Sequence, residues 1–118
     1  MLQKFGIGID IVRVKRFEEK PYFEHKRFYE KIFSGSEIKY CLKHKNNAIH
    51  FSGKFAVKES IKKSISKNVN FLDIETYHLN SKPKVTLKNY QNYEFLVSVS
   101  HEKEFAVATV ISENFNEK

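Results

Sequence analysis

Large apolar residues alternate with other residues near the start of the chain. The alternating positions are Phe5, Ile7, Ile9 and Ile11, separated by Gly6, Gly8, Asp10 and Val12. A period of two predicts a strand with one strongly apolar face. The opposite face carries Asp10 beside the two glycines, and we expect the missing side chains to leave open space around its carboxylate.

A helical period in short segments replaces the alternation from Val14 to about Lys43. Pro21 interrupts it, and Ser34 followed three residues later by Glu37 is typical of a capping box at a helix N-terminus.

The segment from Asn46 to about Lys67 is apolar around most of a helical wheel and predicts a central, largely buried helix. Lys58 and Lys62 interrupt its apolar side. We expect their aliphatic stems to lie along the core while the ammonium groups reach solvent.

Strand-like runs fill the rest of the chain, at about Leu72–Leu79, Val85–Leu87, Phe95–Ser100 and Phe105–Ile111. The order of elements predicts an α+β fold, with an N-terminal strand, short helices and one central helix packed on an antiparallel sheet. No Pro/Gly/Ser-rich stretch divides the sequence, so we expect a single domain over residues 1–118.

The charge balance favours anionic partners. Lys and Arg number 21 against 14 Asp and Glu, a net charge of +7, which would attract phosphate-rich ligands, nucleic acid or an acidic protein. The single Cys41 excludes an internal disulfide and fits a reducing compartment. Because the chain shows neither a signal peptide pattern nor an apolar run of about 20 residues, we expect a cytoplasmic protein without a membrane partner.

Two carboxylates are candidates for chemistry, although each also has an ordinary explanation. Asp10 lies in an isoleucine-rich strand, where it either faces solvent, pairs with a lysine or binds a cation. Glu59 and Lys63 are four residues apart and could form an exposed helical ion pair. A carboxylate with a lysine one turn away can also hold Mg²⁺ while the ammonium holds a phosphate.

Three segments in order resemble the holo-[acyl-carrier-protein] synthases of the 4'-phosphopantetheinyl transferase family, and the resemblance covers essentially the whole chain. The matching segments are Gly6-Ile7-Gly8-Ile9-Asp10-Ile11-Val12 with Lys15-Arg16, Phe51-Ser52-Gly53-Lys54-Phe55-Ala56-Val57-Lys58-Glu59-Ser60 with Lys63, and Val97-Ser98-Val99-Ser100-His101 with Phe105-Ala106-Val107-Ala108.

The resemblance implies transfer of the 4'-phosphopantetheine group of coenzyme A to a serine of an apo acyl carrier protein, with release of 3',5'-ADP. It implies that Asp10 and Glu59 hold Mg²⁺, and that Glu59, directly or through a metal-bound water, is the catalytic base. Lys63 matches the catalytic lysine near the reacting phosphates. The implied assembly is a homotrimer with active sites between neighbouring subunits.

The same resemblance assigns binding residues. Lys54, Lys63, Pro83 and His101 are expected to contact coenzyme A, and Arg16, Arg27 and Phe28 the carrier protein. Lys54 stands where the family often has arginine, so the charge is kept but the planar fork is lost. Taken alone, Pro83 and His101 would be interpreted as ordinary turn residues.

A small basic nucleic-acid-binding module is the alternative, since the charge and the aromatic residues would suit it. It leaves Asp10 and Glu59 unexplained, because carboxylates repel nucleic acid unless a metal intervenes. A third possibility is an oligomeric scaffold without catalysis.

Overall fold

A computed structural model describes residues 2–115, which form four α-helices and five strands. The helices are α1 (Lys15–Glu18), α2 (Lys26–Glu30), α3 (Gly35–Leu42) and α4 (Asn47–Ser64). The strands are β1 (Phe5–Arg13), β2 (Ile74–Leu79), β3 (Lys82–Leu87), β4 (Tyr93–His101) and β5 (Phe105–Asn114). Short 3-10 turns cover Leu2–Lys4, Tyr22–Glu24 and Phe71–Asp73.

The strands form two antiparallel sheets, which confirms the expected α+β class. The larger sheet has the order β1-β5-β4, and β2 pairs with β3 in a separate hairpin. In the larger sheet Asp10 pairs with Ala108, which pairs in turn with Val99. Asp10 therefore lies on one edge strand and Val99 on the other, about 10 Å apart at two strand spacings.

The predicted helices are confirmed with one change at a boundary. Ser34 and Glu37 form the expected capping box at the start of α3, with the Ser34 hydroxyl accepting from the Glu37 amide at 3.3 Å. The central helix ends at Ser64 rather than near Lys67, because Ile65 already has extended backbone angles.

Two glycines allow α4 to lie directly against β1, so the expectation of open space beside Asp10 was wrong. A Cβ atom at Gly6 would overlap the Ser64 carbonyl oxygen, and one at Gly8 would overlap the Ser60 carbonyl oxygen. Two serine hydroxyls form hydrogen bonds between α4 and the neighbouring strand β5. Ser60 donates to the Ala108 carbonyl at 3.1 Å, and Ser112 donates to the Ser64 carbonyl at 2.9 Å. The space that the glycines leave is filled by the helix backbone.

The apolar face of β1 consequently points away from α4. Ile7, Ile9 and Ile11 are 72%, 60% and 62% exposed. Leu96 and Ile111 are also exposed, and Ile111 lies between Ile7 and Leu96 in the register. These five residues form the outer apolar face of the larger sheet.

The hydrophobic core lies on the helical side, where aromatic rings from α1, α2 and α4 pack together. Phe17 is at its centre, with ring centroids 5.8 Å from Tyr29, 6.1 Å from Phe33 and 6.3 Å from Phe51. None of the helices in the described part of the chain is long and apolar enough to span a bilayer.

A buried ion pair joins α3 to α4, and it overturns the expectation that Lys58 reaches solvent. The side chains of Lys58 and Glu37 are fully buried, with Nζ 2.7 Å from Oε1. Lys58 also donates to the carbonyls of Ile32 and Phe71, while Glu37 accepts from the amide and hydroxyl of Thr76. Every charge is thus matched by hydrogen bonds inside the core.

The pKa directions fit an ionised pair. Burial alone would raise the pKa of Glu37, but the charge and hydrogen bond of Lys58, with the Thr76 and Ser34 amides, lower it overall. Burial lowers the pKa of Lys58, and the Glu37 carboxylate opposes that change.

We predict that Lys58→Met lowers the free energy of unfolding by about 3–5 kcal/mol, because the Glu37 carboxylate loses its partner inside the core. Urea denaturation would measure the change. Lys62→Met is the matched control: Lys62 is half-buried over the Phe71 ring, 3.8 Å from its centroid, so its loss should cost under about 1 kcal/mol. Equal stability of the two variants would contradict the prediction.

Candidate active site

Asp10 and Lys63 form the first part of the candidate site. Lys63 Nζ lies 3.1 Å from Asp10 Oδ1 and donates to the Ile9 carbonyl at 2.9 Å. The Asp10 side chain is 15% exposed and that of Lys63 is 53% exposed. Lys63 therefore pairs with Asp10 of β1 and does not form the helical ion pair with Glu59 that the sequence also allows.

Glu59 lies one helical turn before Lys63 on the same side of α4. It is half-buried, and within residues 2–115 its carboxylate makes neither an ion pair nor a hydrogen bond. Ser60, its neighbour, lies against Gly8, two residues before Asp10 in β1. The packing of α4 on β1 therefore brings Asp10, Glu59 and Lys63 to one side of the helix.

The donor set at this position suits a hard cation that shares its coordination with substrate and water. Within the described residues, no group of three or more His, Cys, Asp or Glu side chains is arranged to hold a metal ion. Mg²⁺ is usually bound by one or two carboxylates together with phosphate oxygens and water, which is what Asp10 and Glu59 can offer.

The second part of the site is a cavity of about 230 Å³ between α4, the β2–β3 hairpin and β4. Lys54, Pro83 and His101 all line it, so the structure brings together three of the residues expected to contact coenzyme A. Pro83 is not a turn residue, because it pairs with His78 inside the hairpin, and His101 ends β4.

Lys54 is held firmly in the wall of this cavity. Its Nζ donates to the Thr76 hydroxyl at 2.9 Å and lies 4.8 Å from the centre of the Tyr40 ring. The Thr76 hydroxyl donates its own proton to Glu37, so it can only accept from Lys54. Burial lowers the pKa of Lys54, and nearby acidic groups oppose that change.

The two parts of the site lie on opposite sides of α4. Lys54 and Lys63 are nine residues apart, which at about 100° per residue is half a turn around the helix. Asp10 and His101 lie on the two edge strands, β1 and β4, with β5 between them. One copy of the chain therefore does not bring all the predicted residues to a single pocket.

The remaining predicted residues lie on the first helices. Arg16 on α1 is exposed, and its guanidinium carbon lies 4.8 Å above the Phe55 ring of α4, one turn before Glu59. Arg27 on α2 is also exposed. Phe28 is half-buried against the core, with its ring 6.2 Å from that of Phe17.

Sequence reasoning missed the histidines around the cavity. His50 and His78 line it beside His101, and the His44 ring stacks on that of His50 with centroids 3.7 Å apart. Two spacings could have revealed them: His50 precedes Lys54 by one helical turn, and His78 alternates with Thr76 along β2.

The environment of these histidines favours the neutral ring. Burial lowers the pKa of His50 to about 4, and the neighbouring His44, His101, His78 and Lys54 add to the effect. Partial burial, Lys54 and His44 lower the pKa of His78 in the same way.

A profile of the 4'-phosphopantetheinyl transferase superfamily matches residues 6–110. A holo-[acyl-carrier-protein] synthase of Clostridium kluyveri is 37% identical, over 92% of this chain and 90% of the relative.

Solved structures of such synthases have a similar fold. The Bacillus anthracis holo-(acyl-carrier-protein) synthase in complex with CoA (3',5'-ADP) superposes with a TM-score of 0.79 at 33% identity, covering 92% of this chain and 96% of that one. The Helicobacter pylori holo-[acyl-carrier-protein] synthase in complex with coenzyme A superposes with a TM-score of 0.74 at 37% identity, covering 88% of this chain and 96% of that one.

We predict that His50 makes the fold sensitive to acid. Its pKa is about 4 in the folded chain against an ordinary 6.5, so this contribution to stability is complete above 6.5 and is lost as the pH falls towards 4. The melting temperature of His50→Gln should therefore fall less between about pH 7 and 5 than that of the wild type.

Thermal melts followed by circular dichroism would measure this difference. His25→Gln is the matched control, because His25 lies just before α2 and does not line the cavity. It should lose stability as steeply as the wild type. Parallel curves for all three proteins would show that His50 does not titrate on unfolding.

Proposed function

The chain belongs to the 4'-phosphopantetheinyl transferase superfamily, and we propose that it transfers the 4'-phosphopantetheine group of coenzyme A to a serine of an apo acyl carrier protein. The observation that carries the proposal is the placement of Asp10, Glu59 and Lys63 on one side of α4 in a chain with holo-[acyl-carrier-protein] synthase relatives. The enzyme is accordingly a transferase of the synthase type rather than a nucleic-acid-binding module.

The reaction requires one proton acceptor and compensation of negative charge. The carrier serine oxygen forms a bond to the phosphorus that bears the pantetheine arm, and the bond from this phosphorus to the 3',5'-ADP leaving group breaks. Glu59 takes the serine proton, directly or through a water, because its carboxylate is not engaged elsewhere in the described residues. Lys63 places a positive charge beside the reacting phosphates.

Asp10 and Glu59 would hold Mg²⁺, which when bound supplies positive charge against the pyrophosphate of coenzyme A. Lys63 is already paired with Asp10, so an anionic substrate would share this ammonium with the aspartate. The three side chains thus form one electrostatic unit.

The cavity on the other side of α4 is the proposed site for the nucleotide end of coenzyme A. Lys54 offers a charge fixed by Thr76 and Tyr40, while Pro83 and His101 border the space. The rigid anchoring of Lys54 compensates in part for the lost guanidinium fork, since a held ammonium loses less conformational freedom on binding.

The basic first helices are proposed to bind the acidic carrier protein. Arg16 lies above Phe55, one turn from Glu59, and is exposed, so a protein bound there would reach the carboxylates. Arg27 adds exposed charge on α2, and Phe28 is partly accessible beside it. Charge attraction of this kind governs partner choice and the rate of association. Carrier modification and the single Cys41 fit a cytoplasmic location.

We further propose that the chain forms a homotrimer, in which the outer apolar face of each copy is buried against the neighbouring copies. Five large aliphatic side chains are exposed there without a partner in the described residues, and contiguous patches of this kind mark interaction surfaces. The division of the site supports the same assembly. Copies that meet through their larger sheets can bring the carboxylates of one chain near the cavity of its neighbour.

The homotrimer predicts a mass of three times the 14.0 kDa chain. Ile9→Glu should dissociate it, because each interface would then bury an unpaired charge. Light scattering coupled to size exclusion would measure the masses. Phe23→Glu, which places the same charge at a residue 73% exposed outside the sheets, is the matched control and should remain trimeric. A monomeric wild type or a trimeric Ile9→Glu would exclude this interface.

Removing either carboxylate charge should greatly reduce the rate of transfer without unfolding the protein. Asp10→Asn and Glu59→Gln keep the size of each side chain, and each should lower the rate by at least about a hundredfold. The double variant should be little worse than the worse single variant, because both residues serve one ion. Mass spectrometry of apo acyl carrier protein incubated with coenzyme A and Mg²⁺ would detect the attached arm.

Two controls make this experiment decisive. Circular dichroism checks the fold of each variant, and Glu94→Gln removes a carboxylate from β4 without touching the site. Transfer at the wild-type rate by folded Glu59→Gln would refute the mechanism. Multiplicative losses in the double variant would show that the two carboxylates do not share a metal.

A further inference from the structure

Four of the five histidines of the chain lie at or beside the cavity, because His50, His78 and His101 line it and His44 stacks on His50. His44 follows α3, His50 is in α4, His78 is in β2 and His101 ends β4. The rings of His44 and His50 are stacked at 3.7 Å, and the His50 and His101 ring centroids are 5.8 Å apart. His78 stacks on Tyr40, with ring centroids 4.8 Å apart.

The side chains that line the cavity beside this histidine cluster are positively charged or neutral. Among the described residues that line the cavity, none is acidic. The nearby Glu37 is paired with Lys58, and Glu75 accepts from the hydroxyls of Ser34 and Ser36. The other titratable groups that face the cluster are Tyr40, Cys41 and Lys43 from the α3 segment, Lys54 from α4, Tyr77 from β2 and Lys84 from β3.

We propose that the histidine cluster is a proton-linked phosphate site, in which an arriving phosphate monoester group draws protons onto the imidazole rings. The proposal rests on the proposed use of coenzyme A. It gives a role in ligand binding to His44, His50 and His78, which neither the mechanism nor the sequence resemblance assigned.

The coupling follows from the packing. In the free protein the rings lie close to one another and to Lys54, so protonation of one is opposed by its neighbours, in line with the lowered pKa of His50. A phosphate dianion in the cavity reverses this balance, because each new imidazolium gains a partner of opposite charge. The pKa values of the histidines therefore rise on binding, and protons are taken up from solvent.

The direction of proton exchange separates this site from ordinary cationic binding. A phosphate monoester has its second pKa at about 6, so binding to lysines or arginines favours its dianion and releases protons from the phosphate. Because Lys54 and Lys84 line the cavity and disfavour protonation of the phosphate, net uptake of protons requires a group on the protein that becomes charged. Uptake of about half a proton would lower the dissociation constant of coenzyme A roughly threefold for each unit that the pH falls.

Calorimetric titration of the full chain with coenzyme A, in two buffers of different ionisation enthalpy, measures the exchange directly. At about pH 7 we expect net uptake with coenzyme A and no uptake with 3'-dephospho-coenzyme A, which lacks the monoester. Proton release or no exchange with coenzyme A would overturn the proposal. Equal uptake with both ligands would overturn it as well, because the monoester would not be the linked group.

Variants assign the effect to the cluster. His50→Gln should lose most of the uptake and bind coenzyme A with little dependence on pH between 8 and 6.5. His78→Gln, at the exposed edge of the cluster, provides a second variant if the first does not fold. His25→Gln, the fifth histidine, should keep the wild-type uptake. Unchanged uptake in folded His50→Gln and His78→Gln would overturn the proposal.

The same titrations separate this proposal from the proposed function. Coenzyme A that binds without proton uptake leaves the transferase function standing and removes only the proton linkage. Failure of the wild type to bind coenzyme A at any pH, with or without Mg²⁺, would overturn the proposed function and the phosphate site together.

Discussion

The close contact between α4 and the edge strand β1 is the constraint on which the rest of the structure depends. Gly6 and Gly8 allow the helix backbone to approach the sheet, and the hydroxyls of Ser60 and Ser112 satisfy the carbonyl groups trapped at the contact. A side chain at either glycine would move the helix outward. This movement would separate Asp10 from Lys63, so the packing of α4 on β1 sets the relative positions of the site residues.

The same helix divides the site. The stripe that carries Glu59 and Lys63 faces Asp10, while the stripe that carries His50 and Lys54 faces the cavity beside the β2–β3 hairpin. A rigid element of 18 residues thus presents two different chemistries on opposite sides. A substrate with a reacting pyrophosphate and a distant nucleotide end suits such a division when neighbouring chains lie side by side.

Features set by local patterns could be predicted from the sequence. The alternation in β1, the capping box of Ser34 and Glu37, and the central helix depend on residues close together in the chain, and the structure confirms them. The presence of Asp10 and Lys63 in one site was expected only from the family resemblance, because 53 residues separate them in the sequence, and the resemblance did not predict their ion pair.

Features set by distant contacts could not be predicted in this way. Alternation shows which side chains of β1 share a face, but not that the isoleucine face turns outward while the glycine face meets α4. The partner of Lys58 is 21 residues away in another helix, so a lysine on an apolar side was expected to reach solvent. The histidine cluster joins four separate parts of the chain, and the spacings of His50 from Lys54 and of His78 from Thr76 do not show that those parts meet.

The buried pair of Glu37 and Lys58 also has a consequence for how the chain folds. The carboxylate needs the lysine of α4 and the Thr76 groups of β2 at once, because either half alone leaves a charge short of partners in the core. Partly assembled states in which α3 has docked without the hairpin are therefore unfavourable. The helices and the hairpin should form as one cooperative unit, with amide hydrogens of α3, α4 and β2 exchanging through a shared opening rather than by independent fraying.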